Sequence, residues 1–258
     1  MSFYRNLLAK IEYKGTNYHG WQLQPNAVTI EGTIKKVLAI IFQKPVKIRA
    51  SSRTDAGVHA KHQLANIYIP AEIKIYQLRN SLNALLPDDI AVVDLVEVAD
   101  NHRVQNENRG KQYIYRINNS KIPNALNNDF SWWVKSELKL SDMQLAGSDF
   151  IGVHNFSAYQ GKGCVQKVTE KEIFDLQIES KKSCHQTEIQ FTISGSSFLR
   201  NMIRIMVGTL VQVGRGRLDI DVVKRTLISG NREEAGITAP PQGLMLNETY
   251  LKNDPFIY

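Results

Sequence analysis

The sequence predicts an α+β fold, and three observations carry that prediction. Segments of period-two hydrophobicity alternate with segments of helical period, in the order β-α-β-β-α-β up to Val98. A polar stretch, Asp100 to Gly110, then marks a junction. Beyond it, strands and helices mix again in a second half. The first order is the split βαβ, or ferredoxin-like, arrangement. A duplicated α+β architecture fits, with no sequence repeat to mark it and with boundaries at 1–105 and 106–258.

Each element has its own signal. Leu7, Ala9, Ile11 and Tyr13 alternate with more polar neighbours, which is strand spacing. Ile30, Ile34, Val37, Leu38 and Ile41 recur at helical spacing, with Thr29 placed to cap the helix. Val46, Ile48 and Ala50 predict a second strand. Ser51 to Ala60 is polar and turn-like, and Gln63 to Ile69 is a third strand ended by Pro70. Ile75, Leu78, Leu82 and Leu85 make a second helix, stopped before Pro87. Ile90 to Val98 closes the first half as a strand.

In the second half, Lys111 to Asn118 reads as a strand with Tyr113, Tyr115 and Ile117 on one face. Ser141 caps a helix running to Phe150. Glu172–Glu179 and Gln186–Ile193 are strands. Leu199, Met202, Ile203, Met206, Leu210 and Val213 trace an apolar helical stripe closed by Gly214. A helix from Asp219 to Ile228 and a strand from Leu244 to Leu251 complete the chain.

At 258 residues the chain holds one large domain or two modest ones. With 43% hydrophobic and 22% charged residues it is a globular protein and not a disordered or low-complexity one. Its longest aliphatic or aromatic run, Val37 to Phe42, is too short to span a bilayer. Met1 to Arg5 lacks the apolar stretch of a signal peptide. Two cysteines, Cys164 and Cys184, form no CxxC pair, so a reducing cytoplasm is the expected setting. The net charge of +7 favours polyanionic partners such as nucleic acid. It is spread along the chain, so any phosphate-binding surface must be assembled by the fold.

The densest polar cluster is Arg53-Thr54-Asp55-Ala56-Gly57-Val58-His59, between two predicted strands. Gly57 permits a sharp turn that projects Asp55 beside Arg53. A nearby guanidinium favours the ionised carboxylate. Such an aspartate either serves its own turn or acts as nucleophile or base. Tyr113 and Tyr115 stand among Arg109, Lys111 and Arg116, a pattern that either packs a core or stacks bases beside phosphate-holding cations. Arg200 and Arg204 lie four apart on the Met-rich helix, where Arg204 either snorkels or turns into a cleft to pair with a carboxylate.

Other patterns exclude more than they suggest. No Walker A, G-x-G-x-x-G or G-x-S-x-G string occurs, so nucleotide-cofactor and serine-hydrolase chemistry are not indicated. His59-Ala60-Lys61-His62 is a poor metal signature, and His154, Cys164, Cys184 and His185 are too scattered for zinc. No metal and no cofactor are expected. An aspartate-nucleophile hydrolase would want a second carboxylate or a metal. The nearest acidic pair, Asp88-Asp89, follows Pro87 and reads as a solvated turn.

The motif strings carry the reading further. Arg53 to Ala60 resembles the catalytic loop of the A family of tRNA pseudouridine synthases. Tyr13 to Gln22, Lys111 to Tyr115, Gly152 to Ser157, Phe198 to Gly208 and Ala239 to Leu244 resemble further blocks of that family in order, over almost the whole chain. The resemblance implies two ferredoxin-like, RRM-like subdomains joined into a continuous, mainly antiparallel sheet with flanking helices. It implies an isomerase that converts uridine to pseudouridine at positions 38–40 of the tRNA anticodon stem-loop. By the same resemblance Asp55 is the nucleophile, Tyr113 packs on the target base and assists proton removal, Arg204 pairs with the catalytic carboxylate, and Arg53 helps hold the flipped-out nucleotide. It also implies a cytoplasmic homodimer with tRNA as partner. Two departures stand out: Ser52 where the family usually has glycine, and a more polar run, Asn101 to Asn106, around Arg103. The reading from another class is a non-catalytic tRNA-binding module of the same fold, which would have no need of Asp55.

Overall fold

The computed structural model describes residues 4–70, 72–163, 167–183 and 186–256. Cys164, Cys184 and His185 lie outside the described residues. The chain forms two compact units, Met1–Arg109 with Leu246–Tyr258, and Gly110–Met245. Most of the final strand, from Leu246, therefore belongs to the first unit.

The first unit runs β1 (Arg5–Tyr13), α1 (Ile30–Phe42), β2 (Lys47–Ala50), β3 (His59–Ile69), α2 (Ile75–Leu85), β4 (Ile90–Val98) and the short α3 (Val104–Glu107). β3 lies antiparallel between β1 and β2, and β4 lies antiparallel on the far side of β1. That is the split βαβ arrangement expected from the element order. Thr29 caps α1 by accepting from Gly32 N at 3.2 Å. Ile30, Ile34, Val37 and Leu38 are buried at the predicted helical spacing. α1 packs on β2 and α2, and α2 packs on β4. Leu7, Leu8, Ala9 and Ile11 are fully buried, so β1 is covered on both faces. Leu8 packs with Leu64 and Val104 in a cluster edged by Val96, Val98, Leu251 and Phe256.

A buried amide network ties this layer down. Asn66 Nδ2 donates to Asn6 Oδ1 at 2.9 Å and to His102 Nδ1 at 3.1 Å. Asn66 Oδ1 accepts from Val104 N at 2.8 Å, and Asn6 Nδ2 donates to the carbonyls of Ala99 and His102. Residues 99–104 are thereby anchored to the sheet and the start of α3 is fixed. β3 begins at His59, earlier than its hydrophobic pattern shows, because its leading histidines, His59 and His62, are paired and buried.

The second unit contains β5 (Asn108–Asn119, from Gly110), β6 (Trp132–Val134), α4 (Leu140–Ser148), β7 (Gly152–Asn155), β8 (Glu170–Ser183), β9 (Gln186–Gly195), α5 (Met202–Gly214) and α6 (Val222–Ser229). β10 (Leu244–Leu251) starts in this unit and continues into the first. Strands β5, β9, β8 and β7 follow one another antiparallel, and β6 adds to β5 in parallel. α4 packs on α5 and β8. Every residue of α5 except Arg204 and Gln212 is buried.

Two local expectations are corrected. Ser141 is not the cap of α4, which starts at Leu140; its hydroxyl bonds the Asp142 side chain instead. Arg200 does not share a helix with Arg204. α5 begins at Met202 because Asn201, at φ 61°, holds the left-handed region and breaks the helical path.

Candidate active site

The loop bearing Arg53 and Asp55 is held by the chain between Tyr13 and Trp21. Thr54 Oγ1 and Tyr13 OH are hydrogen-bonded at 2.8 Å, and Trp21 N donates to Thr54 O at 3.1 Å. Gly57 N donates to Tyr18 O at 3.2 Å, and Val58 N closes the turn onto Asp55 O at 3.1 Å. Gly57 has φ 76°, as a sharp reversal after Asp55 requires. Gln63 reaches back from β3 and donates to Ser52 O at 3.0 Å. The loop is therefore bonded on both sides of Asp55. Asp55 itself is half-buried and Arg53 is exposed.

Two glycines allow that approach. A Cβ on Gly20, at φ 87°, would meet Thr54 O at 2.5 Å. A Cβ on Gly15 would meet Val58 O at 2.0 Å. The string Tyr13 to Gln22 is thus the inner brace of the Asp55 loop. Gly15 N also donates to His59 Nδ1 at 3.0 Å. His62 Nδ1 faces Glu248 Oε1 at 2.7 Å. The two histidines are engaged separately, His59 by Gly15 N and His62 by Glu248. Among the described residues no group of three or more His, Cys, Asp or Glu side chains is placed to hold a metal. Asp89 is not a free solvated acid: its carboxylate accepts from Tyr18 OH and its carbonyl from Lys14 N.

In the second unit, Tyr113 sits on β5, 7% exposed, with its ring edge-to-face against Phe198 at 5.3 Å. Arg204 occupies the first turn of α5. Its Nε donates to Ala239 O at 2.7 Å and its Nη1 to Asn201 Oδ1 at 2.8 Å. The strap carrying Ala239 lies close on the helix because Gly208 and Gly236 are small; a Cβ on Gly208 would meet Ile237 O at 1.8 Å. The neighbouring carbonyl, Pro240 O, accepts from Tyr115 OH at 2.8 Å. The tyrosine strand and the arginine helix are therefore laced to the same strap. Lys111, two residues before Tyr113, is 8% exposed, and burial pushes its ammonium down to about 8.

The structure thus brings Arg53 with Asp55 onto one braced loop, and Tyr113 with Arg204 onto one braced framework. Sequence reasoning missed the braces: Tyr13, Thr54, Gln63, Asn201 and Phe198. The ordered motif blocks contain all of these except Gln63, for which the sequence carried no signal.

The family model described as "tRNA pseudouridine synthase" matches residues 9–106 and 146–250. The chain belongs to the tRNA pseudouridine synthase family. That family is one of isomerases. Arg53 and Asp55 lie in the first matched segment of the synthase family and Arg204 in the second, with Tyr113 between the two. Tested against curated proteins, the chain is 39% identical to tRNA pseudouridine synthase A of Geotalea uraniireducens (strain Rf4), over 95% of this chain and 99% of that protein. It is 40% identical to tRNA pseudouridine synthase A of Thermoanaerobacter sp. (strain X514), over 94% and 98% respectively. Among solved structures, a chain of a Cbf5-Nop10-Gar1 complex aligns with a TM-score of 0.36 at 10% identity, covering 93% of this chain and 57% of that one, a likeness too slight to carry an argument. Among the described residues no helix is long and apolar enough to cross a membrane.

Proposed function

We propose that the protein isomerises uridine to pseudouridine at positions 38–40 of the tRNA anticodon stem-loop, with Asp55 as nucleophile. The observation that carries this reading is the braced Asp55 loop in a chain of this family. A positioned carboxylate on a rigid turn is what attack on a nucleotide demands. In the reaction the N1–C1′ bond breaks and the uracil turns within the site. A C5–C1′ bond then forms, C5 gives up its hydrogen as a proton, and N1 takes one up. Atoms and electrons balance with no external reagent.

The other residues have supporting roles in this reading. Tyr113 packs on the target base and assists removal of the C5 proton. Arg204 pairs with the catalytic carboxylate. Arg53 holds the extruded nucleotide, whose unstacking costs a few kcal/mol. The tRNA backbone is the partner for the +7 charge. The protein works as a homodimer in the cytoplasm, which sedimentation analysis and fractionation test.

The deciding experiment is tritium release from tRNA labelled at uridine C5, with wild type against Asp55→Asn. Release by wild type and none by the variant is expected. No release by a folded, tRNA-binding wild type would overturn the enzymatic reading in favour of a tRNA-binding module.

A further inference from the structure

A polar cleft lies beside the Asp55 loop, wholly within the first unit. Its volume is about 380 Å³, within the range of small-ligand sites. Arg49 of β2 and Arg53 of the loop line it, with Ser52, Trp21, Glu31 and Gln105. Both arginines are exposed, and among the described residues neither side chain has an intramolecular acceptor. Two such guanidiniums on one cleft repel each other until an anion enters.

The remaining walls are preformed. Gln105 stands on α3, which the buried Asn66 amide anchors through Val104 N. Its Nε2 donates to Ala50 O at 2.7 Å. Glu31 is the one acid of the lining, and it is already spoken for. Its Oε1 meets Lys35 Nζ at 2.6 Å, and its Oε2 accepts from Gln22 Nε2 and Leu23 N at 3.0 Å each. The cleft therefore presents net positive charge without an opposing free carboxylate. Trp21 is 2% exposed and forms a fixed wall.

We infer that this cleft is a subsite for an RNA nucleotide adjoining the one on which Asp55 acts, with its phosphate held by Arg49 and Arg53. The inference rests on the proposed function, because Arg53 belongs to both the cleft and the Asp55 loop. Arginine suits the role, since its planar fork binds phosphate oxygens in pairs. A base seated there would fix which nucleotide reaches Asp55, so the cleft would set position along the stem-loop.

The test measures binding of an unmodified tRNA transcript over a range of salt, and turnover at saturating RNA. The variants are Arg49→Gln, Gln105→Trp, and Arg79→Gln as a control arginine paired with Asp94 on α2 and β4. Arg49→Gln should raise Kd about tenfold and flatten the salt slope by about one. Gln105→Trp obstructs the cleft and should raise Kd without changing the slope. Arg49→Gln behaving like Arg79→Gln would overturn the inference. Failure of the proposed function is read separately. It would show as no C5 tritium release by wild type, whatever Arg49→Gln does to binding.

Discussion

Arg204 and Ala239 are bonded to each other twice. The arginine Nε donates to Ala239 O at 2.7 Å, and Ala239 N donates to Arg204 O at 3.0 Å. The side chain of a helical residue and its own backbone thus both grip one residue of the strap. Asn201 adds a third tether through its Oδ1 at 2.8 Å. A guanidinium held this way has lost most of its rotamer freedom before any substrate arrives.

Arg204→Lys should therefore lower kcat by roughly a hundredfold or more, because one ammonium cannot serve both tethers at the same position. Asn201 adopts φ 61°, so alanine there would add backbone strain. Asn201→Gly keeps the backbone and removes only the tether. It should lower kcat about tenfold with KM little changed. Steady-state kinetics of both variants check this, and an unchanged kcat in Asn201→Gly would show that the tether does not position Arg204.

Gly20→Ala should disrupt the Asp55 loop. The new Cβ would stand 2.5 Å from Thr54 O, which is also the acceptor for Trp21 N. Either the loop moves or Trp21 N loses its partner. The expected cost is about 2 kcal/mol or more, with loss of activity. Gly216→Ala is the control, with φ 68° and nothing within 4 Å of the added carbon. It should cost only about 1 kcal/mol and leave turnover intact. Thermal melts and tritium release on both variants separate strain from steric displacement.

Lys111 makes folding stability depend on pH. Burial holds its folded pKa at about 8, below the ordinary 10.5. Below pH 8 the ammonium is charged in both states, and the folded protein bears the full cost of burying it. From pH 8 upward the folded form releases the proton while the unfolded chain keeps it. Stability therefore rises with pH, by about 2 kcal/mol between pH 8 and 10 from this group alone. Above pH 10 the sign reverses for Tyr18, Tyr115 and Tyr159, whose hydroxyls burial keeps protonated only in the folded state. Denaturant melts of wild type and Lys111→Met across pH 7–10 check the prediction. The rise should vanish in the variant.

Much of the fold was legible along the chain because local rules decide it. Thr29 as cap and the Ile30–Leu38 stripe place α1, and alternation places β1. The Asp55 loop was legible too, as a polar string with a glycine between two strands. Three features were not. The start of β3 at His59 is polar, so periodicity is silent. The break at Asn201 depends on one φ angle. The burial of Lys111 has no local signal, since the same Lys-x-Tyr string would suit an exposed strand.

By itself the sequence determined the order of the elements, the helical stripes, the excess of positive charge and the family-like strings around Arg53, Asp55, Tyr113 and Arg204. These follow from side-chain periodicity and turn chemistry, which act within a few residues. Only the tertiary structure decided what holds those residues. It put Gly20 against Thr54, Ala239 against Arg204, Asn66 beneath α3, and the last strand, from Leu246, into the first unit. Each of these joins positions far apart in the chain. Their pairing depends on close packing and on satisfying buried polar groups, and neither leaves a mark in the local pattern.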